Sequence, residues 1–179
     1  MFERLRLNVG TWYTGIHFRQ KKEPTLRFND ILSRAHRVLV LFPESAIGAE
    51  STYMLMKYLS RRFSSGTVSV IVREEFQRVT TGIANIRTLP YEQSEINRWY
   101  VPRQELIRRM NANTFDVAID LNVGLALPSA FLCRESHAPL RISFAKPHAD
   151  RFYNFQLQTK AAGQGIVAFQ QLLKCLDMF

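Results

Sequence analysis

Three short stretches place groups able to handle protons or anions directly after β-favouring apolar runs. Pro43-Glu44-Ser45-Ala46-Ile47-Gly48-Ala49-Glu50 follows Val38–Phe42. Asp120-Leu121-Asn122-Val123-Gly124 completes FDVAIDL, and Ala145-Lys146-Pro147-His148-Ala149-Asp150-Arg151 follows LRISF. In the first stretch Gly48 permits a tight turn, and Ser45 with the free N–H groups of a helix start can hold an anion. Glu44 and Glu50 oppose a phosphate there. The same residues also read as a capped helix, with Ser45 or Glu50 satisfying backbone donors. In the second stretch, Asp120 can orient a sugar hydroxyl or act as a base. It can equally satisfy the N–H groups of the turn to which Asn122 and Gly124 are suited. In the third, Lys146, His148 and Arg151 offer positive charge to an anionic or phosphorylated sugar, or form a solvated basic loop.

Other chemistries find no pattern. Neither G-x-G-x-x-G nor G-x-x-x-x-G-K-[ST] occurs, and there is no G-x-S-x-G elbow. His17, His36, His137 and His148 lack metal-ligand spacing, so neither a metal nor a cofactor is expected. Cys133 and Cys175 each lie in an apolar periodic segment and read as small buried hydrophobes of a reducing compartment. Two cysteines in 179 residues exclude a disulfide scaffold.

Strands and helices in alternation must position these loops. Val38–Phe42 is apolar without polar alternation, as in a strand covered on both faces, and VSVIV at 68–72 and FDVAIDL at 115–121 read as further buried, central strands. Ile86–Leu89 reads as a short strand before Pro90, LRISF as another, and Tyr153–Leu157 as a last one. Thr52, Leu55, Met56, Leu59 and Phe63 line one face of a helix over 49–63, stopped by Ser64-Ser65-Gly66. Further helices are expected over 26–35, weakly over 74–81, from Pro102 to about Ala112, from Pro128 to about Glu135, and at the end. Leu106, Ile107 and Met110 point inward from the Pro102 helix; Ile166, Phe169, Leu173 and Leu176 line the closing one. Tyr91–Trp99 has no clear period and reads as loop. The pattern predicts a doubly wound α/β domain, a mostly parallel Rossmann-like sheet of five or six strands in three layers. Its ligands belong beyond the carboxyl ends of the strands.

Charge is unevenly spread. The net charge is +9, and residues 1–40 carry eight basic against three acidic residues. Residues 1–24 form a basic and aromatic segment containing Trp12, Tyr13, His17 and Phe18, ahead of a single domain over 25–179. Such a field steers anionic partners without specifying them. The longest strongly apolar run, Val38–Phe42, is far short of the roughly 20 residues that span a bilayer. The start has no signal-peptide core, so a cytoplasmic address is expected.

The order of segments carries a resemblance. Residues 37–63, then VSVIV, then residues 105–144 resemble the N-terminal half of the bacterial heptosyltransferases. These are ADP-heptose-dependent enzymes of glycosyltransferase family 9 with the GT-B fold. The corresponding motifs here are Ser45-Ala46-Ile47-Gly48-Ala49 for the family's S-S-x-G-D loop, Asp116–Leu121 for D-L-V-I-D-L, and Arg141-Ile142-Ser143 for R-I-G. The likeness covers roughly residues 37–145. The family's loop carboxylate, which resembles a base for the acceptor hydroxyl, aligns with Ala49. Glu50 follows it, one position and about 100° further round a helix. The resemblance also implies an active site between two halves, with the sugar nucleotide held mainly by a C-terminal domain. The endings FYNFQLQ and GIVAFQQLLKCLDMF resemble short bacterial proteins built as half a heptosyltransferase.

The expectation is therefore a glycosyltransferase-like single domain that binds an anionic sugar, glycan or partner rather than catalysing alone. If it is an enzyme, it is a transferase of that kind. Two alternatives come from other classes. A nucleic-acid-binding module would use the basic surface, although no RRM, KH or helix-turn-helix signature is present, which makes nucleic acid a poor partner. An assembly protein would pack its N-terminal aromatic segment on a second copy as a homodimer.

Overall fold

The computed structural model describes residues 2–18, 27–44, 49–159 and 165–179. Its strands are β1 (Arg37–Leu41), β2 (Thr67–Arg73), β3 (Ile86–Tyr91), β4 (Val117–Asp120), β5 (Leu140–Phe144) and β6 (Phe155–Leu157). Its helices are α1 (Phe2–His17), α2 (Phe28–Ser33), α3 (Ala49–Arg62), α4 (Gln104–Asn111), α5 (Leu127–Glu135) and α6 (Gly165–Asp177). The strands form one six-stranded sheet in the order β3-β2-β1-β4-β5-β6, every neighbouring pair parallel. This is the doubly wound α/β architecture, with strand order reversing between β1 and β4.

Alternation along each strand divides the core in two. Val38 and Val40 of β1, with Val117 and Ile119 of β4, pack under α2, α3 and α6. Leu39, Leu41 and Ala118 face the opposite layer, where α4 and α5 lie. Both faces are apolar because both are covered, so the strands read as continuous hydrophobic runs. The inward residues of α3 are buried as their spacing predicts: Thr52, Leu55, Met56, Leu59 and Phe63 are all at most 3% exposed. Gly66 ends that turn where a Cβ would stand 1.8 Å from the His36 carbonyl oxygen, so no larger residue fits.

Several local expectations change in the folded chain. β3 runs on through Pro90 to Tyr91; as an edge strand it bonds only to β2, and a proline is tolerated there. The stretch after it holds a short 3-10 turn at Gln93–Glu95 and an isolated antiparallel bridge between Ile96 and Pro102. Glu74–Val79 is a 3-10 helix rather than an α-helix. The buried face of α6 is Ala168, Phe169, Leu172 and Leu176, whereas Ile166 is 50% exposed.

The N-terminal segment folds as α1 and packs against α5. On its contact face Gly10 and Thr14 are buried and Leu7 packs against the core, and a Cβ on Gly10 would lie 2.2 Å from the Trp99 carbonyl oxygen. His17 Nε2 lies 2.8 Å from Glu135 Oε1, and Phe18 packs on Phe131 and Phe152. Among the described residues no helix is long and apolar enough to cross a membrane.

Candidate functional site at the strand exits

The reversal of strand order sets β1 beside β4, with Leu41 opposite Asp120. The two exits are tied together by one side chain. Asn122 accepts the Glu44 backbone N–H through Oδ1 at 2.8 Å. Its amide nitrogen donates to Asp120 Oδ1 at 2.7 Å and to the Phe42 carbonyl at 3.4 Å. A short amide with two donors and an acceptor can do this where a longer or apolar side chain cannot.

Asp120 points to the α4–α5 side, as period-two alternation requires, and is fully buried. Oδ1 accepts from the backbone and side chain of Asn122, and Oδ2 accepts from Lys146 Nζ at 3.2 Å and from the Tyr153 hydroxyl. Lys146 Nζ also donates to the carbonyls of Asn122 at 2.6 Å and Gly124 at 3.2 Å, so all three ammonium protons are engaged. The ammonium lies 4.9 Å from the Tyr153 ring centroid, and Ser143 Oγ donates to the Asp120 carbonyl. Burial, and then the adjacent Asp120 charge, push the Tyr153 phenol well above its usual range. A carboxylate with four donors and an ammonium with three acceptors hold the exits of β4 and β5 in place.

Glu44 is in a different state. Its carboxylate makes no hydrogen bond or ion pair among the described residues. Its pKa is raised above the ordinary carboxylate value, first by burial and then by the Asp120 charge, against the opposing pull of Arg73 and Lys146. Tyr91, at the end of β3 and 6% exposed, is raised by burial and then by the Glu44 charge. Glu44 thus has the features of a proton-transfer group: partial burial, a raised pKa, and lone pairs not committed to any of the described residues. A neutral or ionised carboxyl there can hydrogen-bond a hydroxyl brought to the switch point.

The residues singled out from the sequence divide among several places. Asp120, Asn122 and Lys146 come together at the exits of β4 and β5. Glu50 lines a groove of about 490 Å³ between α3 and α6, shared with Met54, Tyr58, Ile166 and Phe169. His148 and Arg151 line a second groove, of about 510 Å³, roofed by α1 through Asn8, Thr11 and Ile16, with Leu125 at its floor. Arg151 Nη1 donates to the Thr11 carbonyl at 3.3 Å, and His148 takes a left-handed backbone conformation at φ 63°. Ser45 and Gly48 lie outside the described residues. Among the described residues no three His, Cys, Asp or Glu side chains could hold a metal ion. Glu44, Tyr91 and Tyr153 were not candidates on sequence. For Glu44 the available signal was its place two residues beyond an apolar strand run.

This architecture has counterparts among solved structures. E. coli heptosyltransferase WaaC with ADP matches with a TM-score of 0.59 at 21% identity, over 78% of this chain and 46% of that one. The fold is that of half a heptosyltransferase. The glycosyl transferase family 9 protein of Veillonella parvula matches with a TM-score of 0.61 at 16% identity, over 79% of this chain and 40% of that one. The E. coli enzyme with ADP-2-deoxy-2-fluoro heptose gives 0.54 at 19% identity, over 76% and 46%. The matched parts are thus less than half of each solved protein, and at these identities the likeness is one of fold. The amino-acid sequence matches no protein-family model and no curated protein.

Proposed function

We propose that this chain is a glycosyltransferase-like domain that binds an anionic sugar or glycan along the carboxyl edge of its sheet and does not transfer sugar alone. A ligand hydroxyl meets Glu44 at the switch point, where Asn122 of the Asp120–Asn122–Lys146 cluster holds the Glu44 backbone N–H. The ligand's negative charge meets His148 and Arg151, which follow β5 on the same edge. The observation that carries this reading is Glu44: a part-buried carboxyl with a raised pKa and no protein partner among the described residues, at the place where doubly wound folds bind ligands. The likeness to half a heptosyltransferase supports it, since there the second half supplies the sugar nucleotide. Proton transfer from a bound hydroxyl to Glu44 is useful only when a donor sugar is presented from outside this domain.

The test is thermal-shift and saturation-transfer NMR screening of the chain against phosphorylated sugars, glycans and sugar nucleotides. The expected result is a rise in Tm with at least one of them, reduced in both Glu44→Gln and Arg151→Ala. A complete absence of stabilisation or saturation transfer across the panel rejects the reading.

A further inference from the structure

Half of the described large hydrophobics that stand exposed belong to one helix. On α1, Phe2, Leu5, Trp12, Tyr13 and Ile16 are 82%, 58%, 68%, 45% and 53% exposed, with Val9 half-buried among them. At about 100° per residue these six fall on a single arc of about 100°. The arc lies away from Gly10 and Thr14, the buried pair with which α1 meets the domain. The helix thus meets the protein with Leu7, Gly10 and Thr14 and turns its larger apolar stripe outward.

The surroundings of the arc are cationic. Arg4 and Arg6 flank it on either side of the helix, and Arg6 Nε donates to the carbonyl of exposed Arg98. Exposed Arg103 lines the groove beside Val9, Trp12 and Tyr13. The acidic residues of these surroundings are Glu3 on the same helix, Glu105 in the same groove and Glu135, which is paired with His17 beside Tyr13, and the sequence continues past the helix with Arg19, Lys21 and Lys22.

We infer that α1 lies in the interface of an anionic lipid bilayer, its outward arc seated among the acyl-chain boundary and its arginines on the headgroups. An apolar stripe with tryptophan and flanking cations has the composition that binds such surfaces. Charge decides against a second copy as the occupant. A two-fold contact over this arc sets the same arginine rim against itself, which repels, while an anionic surface complements it. Nucleic acid would engage the arginines and leave the apolar arc in water. The inference does not depend on Glu44 or on sugar binding.

The experiment is co-sedimentation of the full chain with phosphatidylcholine vesicles and with phosphatidylcholine–phosphatidylglycerol vesicles, read with tryptophan fluorescence. Binding to the anionic vesicles with a blue shift is expected, about tenfold or more weaker on neutral vesicles. Phe2→Gln/Leu5→Gln, at positions outside both grooves beside α1, is expected to weaken binding by about tenfold or more with an unchanged Tm. Absence of binding to anionic vesicles overturns the inference. So does binding that the double variant leaves intact, which would be adsorption by charge alone. Sedimentation velocity showing a dimer that the same variant dissolves, without vesicle binding, assigns the arc to a second copy instead.

Discussion

Lys146 donates from Nζ to Asp120 Oδ2 at 3.2 Å, with only 2% and 0% of the two side chains exposed. A buried ion pair of this kind is maintained by its remaining hydrogen bonds, since desolvation of each charge is costly. Here the carbonyls of Asn122 and Gly124 complete the ammonium, while Asn122 and Tyr153 complete the carboxylate. The pair joins β4 to the loop after β5 and so shapes the edge on which any ligand would sit.

Removing one partner leaves the other charge buried. Lys146→Met is expected to lower stability by about 3–5 kcal/mol, read as a shift of the urea midpoint. Replacing both groups, Asp120→Asn with Lys146→Met, should cost less than the two single losses added together. An additive result would mean that the pair is not coupled.

Glu44 gives a pH signature of the opposite kind. Its folded pKa is raised, so the folded state holds the proton more tightly than the unfolded chain does. Stability from this group is present below the ordinary carboxylate pKa of 4.5 and declines as pH rises through the raised value. Glu44→Gln should accordingly be more stable than the natural chain at pH 7, with the difference closing in acid. Thermal melts of both proteins between pH 4 and 8 check the sign.

Asp116 behaves conversely. Burial raises its pKa, but this is outweighed by the backbone N–H groups of Arg37 at 2.9 Å and His36 at 3.0 Å and by the Arg37 guanidinium at 3.2 Å, leaving the carboxyl below 3.8. Its contribution is present above the ordinary pKa and is lost as pH falls through the lowered one. Asp116→Asn should cost about 1–3 kcal/mol near neutrality, and the gap between variant and natural chain should shrink at the acid end of a pH series of urea melts.

Both thiols should be inert in the native protein. Cys133 is completely buried; burial, then the Asp120 charge, push its pKa upward against Arg141 and Lys146, and burial likewise raises Cys175. Since the thiolate is the reactive species, iodoacetamide at pH 8 should modify neither residue until denaturant is added. Mass spectrometry of the folded and unfolded chain reads this directly, and rapid native labelling at Cys133 would contradict the packing of α5.

What could be read along the chain and what needed the fold separate on physical grounds. Val38–Leu41, Val70–Val72 and Val117–Ile119 are strand segments because unbroken apolar runs have nowhere to go but between two covering layers. The helical period of Thr52 to Phe63 is equally a property of neighbours three and four apart. These patterns are local, so the doubly wound class, the strand count and the family likeness were all legible. Asp120 and Lys146 were candidates by residue type, but their pairing spans 26 positions and depends on β4 lying beside β5. Glu44 acquires its raised pKa from burial and from Asp120, a neighbour set by the β1–β4 reversal. Glu50 follows Glu44 by six positions, yet α6 rather than β4 shares its groove. The arc on α1 could be identified as outward only when Gly10 and Thr14 were seen against the domain, because a helix's exposed side depends on which face a distant segment covers.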